Sequence, residues 1–350
     1  MKLTLFTKDF EDNSTGRAYA LWLLAQHLGW QCQIVAPQGD HVWGPVAVPD
    51  FEAACSVRAS RSQQREAAAA SDLVISVKPV PGSFDLALAA TRDTGRPLLV
   101  DIDDPDIEGL LSLGNLPKAL AKSLLRPRSY WKTRRLRRAL PSFPHTVSNP
   151  VLERAHGGEL IPHARVDSGV GNPHISWQPQ VVFVGTNRPH KGIVELRRAV
   201  SQLAADGFTL TITDERPPDA LAHENWVGFT SLTRGIELVK HADIVVIPSR
   251  ANDLYAAGQL PVKIVDAMLA GRALVVSDLE PLRWAIGPAG GTLVGAGEHE
   301  QLLSALRAYR DPSLRSAHGA NARHRAISQF TVDALAPRFA AACLRTVRRD

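Results

Sequence analysis

The stretch Val181-Val182-Phe183-Val184-Gly185-Thr186-Asn187-Arg188-Pro189-His190-Lys191-Gly192-Ile193-Val194-Glu195-Leu196 decides the fold. Four apolar, β-prone residues read as a buried-type strand that stops at Gly185. A polar turn follows, and residues 192–205 then carry apolar side chains at helical spacing. Strand, short loop and helix form the unit of a parallel α/β sheet. In such sheets ligands bind beyond the carboxyl ends of the strands, where helix N-termini offer unpaired N–H groups. Gly185 lets the backbone approach a ligand closely, and Arg188 and Lys191 add cations beside the helix start. Together these suit a diphosphate. The loop is not a Walker loop, because GxxxxGK[ST] is absent. The plain alternative is a basic strand–helix turn.

Outward from this stretch the same alternation continues. Toward the C-terminus, strands are predicted at 208–213, 243–247 and 273–276, with helices at 236–241, 262–269, 298–310 and 313–328. An amphipathic helix over 330–347 closes the chain. Toward the N-terminus, strands are predicted at 2–7, 33–36, 72–77, 98–100 and 146–148. Helices fall at 17–28, 65–70 and 84–91. Residues 164–178 are rich in Gly, Ser, Pro and Asn without an apolar period, and read as a linker. The expected organisation is an α/β domain over 1–165, a linker over 166–178, a second α/β domain over 179–330 and a terminal helix over 331–350.

Composition agrees with a two-domain globular protein. The chain has 350 residues, 45% of them apolar and 21% charged. Disorder, collagen and coiled coil are unsupported. The three cysteines, Cys32, Cys55 and Cys343, form no CxxC or zinc spacing, so a reduced cytosol fits best. The N-terminus turns polar too early for a signal peptide. The longest run without Lys, Arg, Asp or Glu, Ala18 to Gly39, is interrupted by Gln, His and Gly, and reads as helix and strand rather than a membrane span.

Two further loops point the same way as the first. In Gln259-Leu260-Pro261-Val262-Lys263-Ile264-Val265-Asp266, a helix starting near Pro261 puts Lys263 in its first turn. Asp266 falls three residues on and on the same side. A carboxylate there can accept both hydroxyls of a ribose; a Lys/Asp surface pair is the alternative. Asn13-Ser14-Thr15-Gly16-Arg17 follows the first strand as a capped helix start.

With these three loops the chain resembles the family-4 (group 1) retaining glycosyltransferases of the GT-B fold. The donor loop 181–196, the segment "ADIVVIPSR" followed by "GQLPVKIVDAMLAGRALVVSD", and "HTVSNPVLERAHGGELIPHARVD" stand in the family's order over almost the whole chain. The resemblance implies two Rossmann-like α/β domains facing a central cleft, with the second binding most of a nucleotide-sugar donor. It implies a metal-independent hexosyltransferase that retains anomeric configuration and needs no cofactor, the nucleotide-diphosphate sugar being a co-substrate. By position, Gly185, Thr186, Arg188 and Lys191 contact the diphosphate, and Asp266 the ribose. Ser249, Leu260, Pro261 and Lys263 complete the donor site, and Gly16 closes over the phosphates. The terminal helix crosses back to the first domain.

Three departures stand out. The family's Glu-x7-Glu becomes Gly258 and Asp266, so the carboxylate that usually holds a sugar hydroxyl is missing; Pro261-x-Lys263-x-x-Asp266 is closer to a variant of the motif. Thr186 occupies the usual arginine position, and by location Arg188 is the substitute the resemblance implies. Where many members have a His, this chain has Asp101-Ile102-Asp103-Asp104-Pro105-Asp106. Asp-x-Asp is the spacing of a Mg²⁺ or Mn²⁺ site in the other glycosyltransferase fold, but no metal is expected here. Asp103 is read as orienting the acceptor hydroxyl or donor sugar, beside Arg188 and Lys191 as the catalytic cations. Pairing of these acids with the basic segment after them is the alternative.

Charge is uneven. Of 40 Lys and Arg against 35 Asp and Glu, nine cations and no acid lie in residues 109–152. Removing those nine from the net +5 leaves −4 elsewhere. Leu116, Leu120 and Leu124 make a helical stripe, and Trp131, Lys132, Arg134, Arg135 and Arg138 follow Pro127. A basic amphipathic stretch with Trp suits an anionic membrane surface or an acidic acceptor; a solvated helix pair is the alternative. No nucleic-acid motif accompanies it. The sequence therefore predicts a cytoplasmic enzyme, peripheral at the inner membrane face. It would move a sugar from a nucleotide-sugar to an unknown hydroxyl acceptor in glycan, glycolipid or glycosylated-metabolite synthesis. A nucleotide-sugar epimerase of the same fold, or a catalytically silent partner subunit, are the alternatives.

Overall fold

A computed structural model of the chain describes residues 1–111, 127–250 and 257–348. Two compact units emerge, Met1–Ala164 with Val332–Asp350, and Arg165–Thr331.

The first unit holds a seven-stranded parallel sheet. In chain order its strands are β1 (Lys2–Phe6), β2 (Gln31–Val35), β3 (Cys55–Ser56), β4 (Leu73–Val77), β5 (Leu98–Ile102), β6 (His145–Val147) and β7 (Glu159–Leu160). Their order in the sheet is β3-β2-β1-β4-β5-β6-β7, so the direction of winding reverses between β1 and β4. β4 and β5 are buried at every residue, as expected for strands covered on both faces. The helix Ser14–His27 begins earlier than its apolar pattern suggests, because Asp12 accepts the Ser14 N–H at 2.8 Å. The terminal helix Val332–Val347 packs in this unit: Phe339 lies 6.1 Å from Trp30 between ring centroids, and Asp333 faces His27 at 3.5 Å.

The second unit holds a six-stranded parallel sheet: β8 (Gln180–Phe183), β9 (Thr209–Ile212), β10 (Glu224–Trp226), β11 (Ile244–Ile247), β12 (Ala273–Ser277) and β13 (Thr292–Val294). The order is β10-β9-β8-β11-β12-β13, with the reversal between β8 and β11. Alternate residues feed two cores. Val245 and Ile247 join Ile264, Met268 and Leu282 on one face, while Ile244 and Val246 join Leu196, Val200 and Leu306 on the other. Each such buried aliphatic side chain contributes about 1.5–3 kcal/mol.

The stretch expected as a linker packs along the second unit. Gly171 N–H donates to Ala270 O at 2.9 Å, His174 Nε2 donates to Gly271 O at 3.0 Å, and Arg323 grips both oxygens of Asp167. The segment 112–126, with Lys118, Lys122, Arg126 and the leucine stripe, lies outside the described residues.

Candidate functional site

At the reversal point of the second sheet, the loop leaving β8 meets the loop leaving β11. Gly185 has φ +139°, and its N–H donates to Thr213 Oγ1 at 2.7 Å. Gly192 has φ +66° and caps the helix Ile193–Leu203; a Cβ there would run into the Pro248 carbonyl. Arg250 N–H donates to His190 O at 2.9 Å, while its guanidinium pairs with Glu195. Asn187 N–H donates to the Asp214 carboxylate. Ser249 is buried at the exit of β11. Backbone bonds thus fix a glycine-lined turn directly above two strand ends.

Two lysines address that turn. Lys263 opens the helix Lys263–Leu269, and its ammonium lies 4.3 Å from the centroid of the Phe183 ring. It sits against Gly185, where a Cβ would collide with it. Burial, together with the nearby charge of Lys191, pushes the Lys263 ammonium down to about 7. Among the described residues no carboxylate pairs with Lys263. A cation in this state gains most from an anionic ligand.

The rest of the expected donor set divides. Asp266 stands on the same short helix as Lys263, but Arg165 Nε donates to its Oδ1 at 2.8 Å, with the two side chains only 6% and 12% exposed. Among the described residues nothing donates to Oδ2. One carboxylate oxygen is therefore open, where the sequence suggested two. Leu260 points into the apolar core, and the Pro261 carbonyl accepts the Ile264 N–H at 3.1 Å. Thr186 is half-buried and Arg188 exposed, each without a side-chain hydrogen bond or ion pair among the described residues.

In the first unit, the acidic run that begins in β5 and continues past its end belongs to a buried ionic network. Arg17, fully buried, forks onto Asp101 at 2.8 and 2.7 Å and also donates to Ile161 O at 2.7 Å. Asp103 faces His163 Nε2 at 3.1 Å, with Arg17 and Lys78 each 3.8 Å away. Burial alone would raise the Asp103 carboxyl, but His163, Lys78 and Arg17 outweigh it and hold the group well below the usual carboxylate range. Lys78 pairs with Asp104 and stands 3.4 Å from Asp106. It is buried at φ +67°, a conformation unusual for a residue with a Cβ. Burial pushes Asp106 up to about 7, against the pull of Lys78 and with the push of Asp104 and Asp103. Gly16 lies in the first turn of Ser14–His27, where a Cβ would come within 3.1 Å of the Trp43 ring. Among the described residues no three His, Cys, Asp or Glu side chains cluster as a metal site.

Sequence reasoning missed Arg17, Lys78, His163 and Arg165. Only Lys78, directly after the predicted strand 72–77, carried a signal, a basic residue at a strand end; the other three stand well away from any predicted strand end.

The basic segment is helical over Pro127–Ala139. Thr133, Leu136 and Leu140 are buried on one side. Trp131, Arg134, Arg135 and Arg138 fall on the opposite side, with Trp131 56% exposed. The Arg134 guanidinium stacks 5.3 Å from the Trp131 ring centroid. Lys132 pairs with Asp85. Among the described residues no helix is long and apolar enough to cross a membrane.

Residues 178–310 match the family described as glycosyl transferases group 1. The matched stretch lies within the second unit, Arg165–Thr331. No curated protein matches the chain by sequence. Solved structures extend the likeness to both units. Sucrose-phosphate synthase from Thermosynechococcus elongatus superposes with a TM-score of 0.71 at 14% identity, covering 100% of each chain. HepE of Anabaena, in complex with UDP-glucose, gives 0.74 at 15% identity over 99% of this chain and 100% of its own. WaaG, a glycosyltransferase of lipopolysaccharide biosynthesis, gives 0.59 at 15% identity over 98% and 99%. The chain has the GT-B fold, two Rossmann-like α/β units with parallel sheets.

Proposed function

We propose that the chain transfers a sugar from a nucleotide-diphosphate sugar to a hydroxyl acceptor, with retention of anomeric configuration and without a metal ion. One observation carries the reading. Lys263, with no acid of its own among the described residues, stands against Gly185 at the sheet's reversal point, close enough to Lys191 for their charges to repel. A diphosphate is the anion that such a turn accommodates. As the bond to the sugar breaks, negative charge grows on the leaving diphosphate. Lys191, Lys263 and Arg188 would stabilise it through charge-assisted contacts worth about 1.5–3 kcal/mol each. Asp266 would accept a ribose hydroxyl through Oδ2. Asp103, with its carboxylate ionised and held by His163, would orient the acceptor or the transferred sugar. The HepE complex makes UDP-glucose the first donor to try. The outer face of the helix Pro127–Ala139 would rest on an anionic membrane surface or an acidic acceptor.

The test is incubation with a panel of nucleotide sugars, with and without a chelator, following nucleotide release by slow hydrolysis. Release of one nucleotide, unaffected by the chelator, and a product of retained configuration by NMR are the expected results. Lys191→Ala should lower that rate roughly 10- to 150-fold. Conversion of the sugar without release would instead mark an epimerase, and binding of no member of the panel a silent partner.

A further inference from the structure

Arg165 is the first residue of the second unit, and it is engaged at both ends. Its backbone N–H donates to Phe330 O at 2.9 Å, and it forms a parallel bridge with Thr331, the last residue of that unit. Its side chain, 6% exposed, donates through Nε to Asp266 Oδ1. One residue therefore joins the two points where the chain enters and leaves the second unit to the carboxylate beside Lys263. Among the described residues Asp266 accepts through Oδ1 alone, which leaves Oδ2 for another donor.

We infer that Arg165 is a positioning residue: it fixes the rotamer of Asp266 so that Oδ2 meets a ribose hydroxyl, and it passes nucleotide occupancy to the paired segments at 165 and 331. Three observations carry this. An Asp has few rotamers, and a charged guanidinium bound to one oxygen selects among them at little cost in freedom. With both side chains largely withdrawn from water, the pair resists the screening that weakens surface bridges. The backbone of Arg165 is held in turn by Phe330 and Thr331, so a ligand that draws on Asp266 pulls on a fixed strut. The role rests on the reading of Asp266 as a ribose contact.

The closing experiment separates the two. Binding of UDP, or whichever of UDP, GDP and ADP the wild-type chain takes, is compared with that of its 2′- and 3′-deoxy forms. The comparison runs in wild type, Asp266→Ala, Arg165→Met and Arg165→Lys. A charge-assisted bond to a ribose hydroxyl makes the wild type prefer one ribonucleotide roughly ten- to a hundredfold. Asp266→Ala erases that preference. Arg165→Met should erase it as well, although Asp266 is still present, and Arg165→Lys should restore part of it. Nucleotide should also slow amide exchange at 164–166 and 330–332 in the wild type but not in Arg165→Met. If Arg165→Met keeps the full preference, the positioning role is wrong while Asp266 stands as the ribose contact. If Asp266→Ala keeps it, or the wild type has none, the ribose reading itself fails and the inference falls with it. A merely structural Arg165 would lower the melting temperature and weaken both forms equally.

Discussion

The Lys263 ammonium stands 4.3 Å from the centroid of the Phe183 ring, at the end of β8 and two residues before Gly185. The ring face offers partial negative charge but no hydrogen-bond acceptor of carboxylate strength. Burial and Lys191 therefore leave the group with a folded-state pKa of about 7, below the ordinary lysine value. Below pH 7 the proton is already present, and a diphosphate should bind at full strength. Above pH 7 binding must take up a proton, so affinity falls as pH rises. UDP-glucose is the suitable ligand, since its diphosphate does not titrate near neutrality. Calorimetry in buffers of different ionisation enthalpy should show this uptake at pH 8. Lys263→Met should bind more weakly at pH 6 and show no such pH dependence. The stability of the ligand-free chain has the opposite sign. The folded state binds fewer protons than the unfolded one between about 7 and the ordinary lysine range, so stability rises across that window in the wild type. A flat affinity profile in the wild type would contradict this account.

Gly192 fixes how the loops leaving β8 and β11 meet. An alanine there must adopt φ +66° and place its Cβ against the Pro248 carbonyl. The left-handed backbone costs about 1–2 kcal/mol, and the collision adds to it. Gly192→Ala should lower the melting temperature of the second unit by several degrees and weaken nucleotide binding more than Gly207→Ala. Gly207 shares the positive φ but lies at the opposite end of the sheet, before β9. Thermal melts with and without UDP-glucose measure both effects.

How much of this was legible beforehand depends on what each residue answers to. The central strands β1, β4, β8, β11 and β12 announce themselves because burial on both faces demands continuous apolar runs. All four edge strands, β3, β7, β10 and β13, escaped notice. They are two or three residues long, and their partly exposed faces impose no apolar pattern. At the site, Gly185, Lys191 and Lys263 were readable because backbone approach and cations near a helix start need those residue types locally. The partner of Asp266 was not, since Arg165 lies 101 positions away and any cation of suitable reach would serve. The same holds for Lys78 and Arg17 against the acids in and after β5. Charge pairing is a tertiary choice that leaves no periodic trace.

Asp106 gives a pH signature from the first unit. Its carboxyl is pushed up to about 7 by burial, with Asp104 and Asp103 adding to the effect against the pull of Lys78. The unfolded chain loses this proton in the ordinary carboxylate range, while the folded chain keeps it to about 7. Stability from this group therefore falls as pH rises through that window, and the full penalty is present above pH 7. Asparagine has the shape of the protonated acid and cannot ionise. Asp106→Asn should raise the melting temperature at pH 8 and leave it unchanged near pH 4. An equal change at both pH values would mean that packing, not ionisation, governs the position.

The outer face of Pro127–Ala139 presents a cationic, aromatic surface to solvent. Trp131 is 56% exposed, and Arg135 and Arg138 lie beside it with no acid paired to them among the described residues. Each arginine near an anionic bilayer is worth about 1 kcal/mol, and the indole prefers the interfacial region. The full chain should sediment with phosphatidylglycerol vesicles, remain free of phosphatidylcholine vesicles, and be released by high salt. Replacing Arg134, Arg135 and Arg138 with Gln should lower the partition coefficient roughly a hundredfold, which is about 3 kcal/mol. Their removal should leave hydrolysis of a soluble nucleotide sugar intact, because none of the three lies in the loops that leave β8 and β11. Binding to both vesicle types alike, or undiminished binding by the triple variant, would assign this face to solvent or to a protein partner instead.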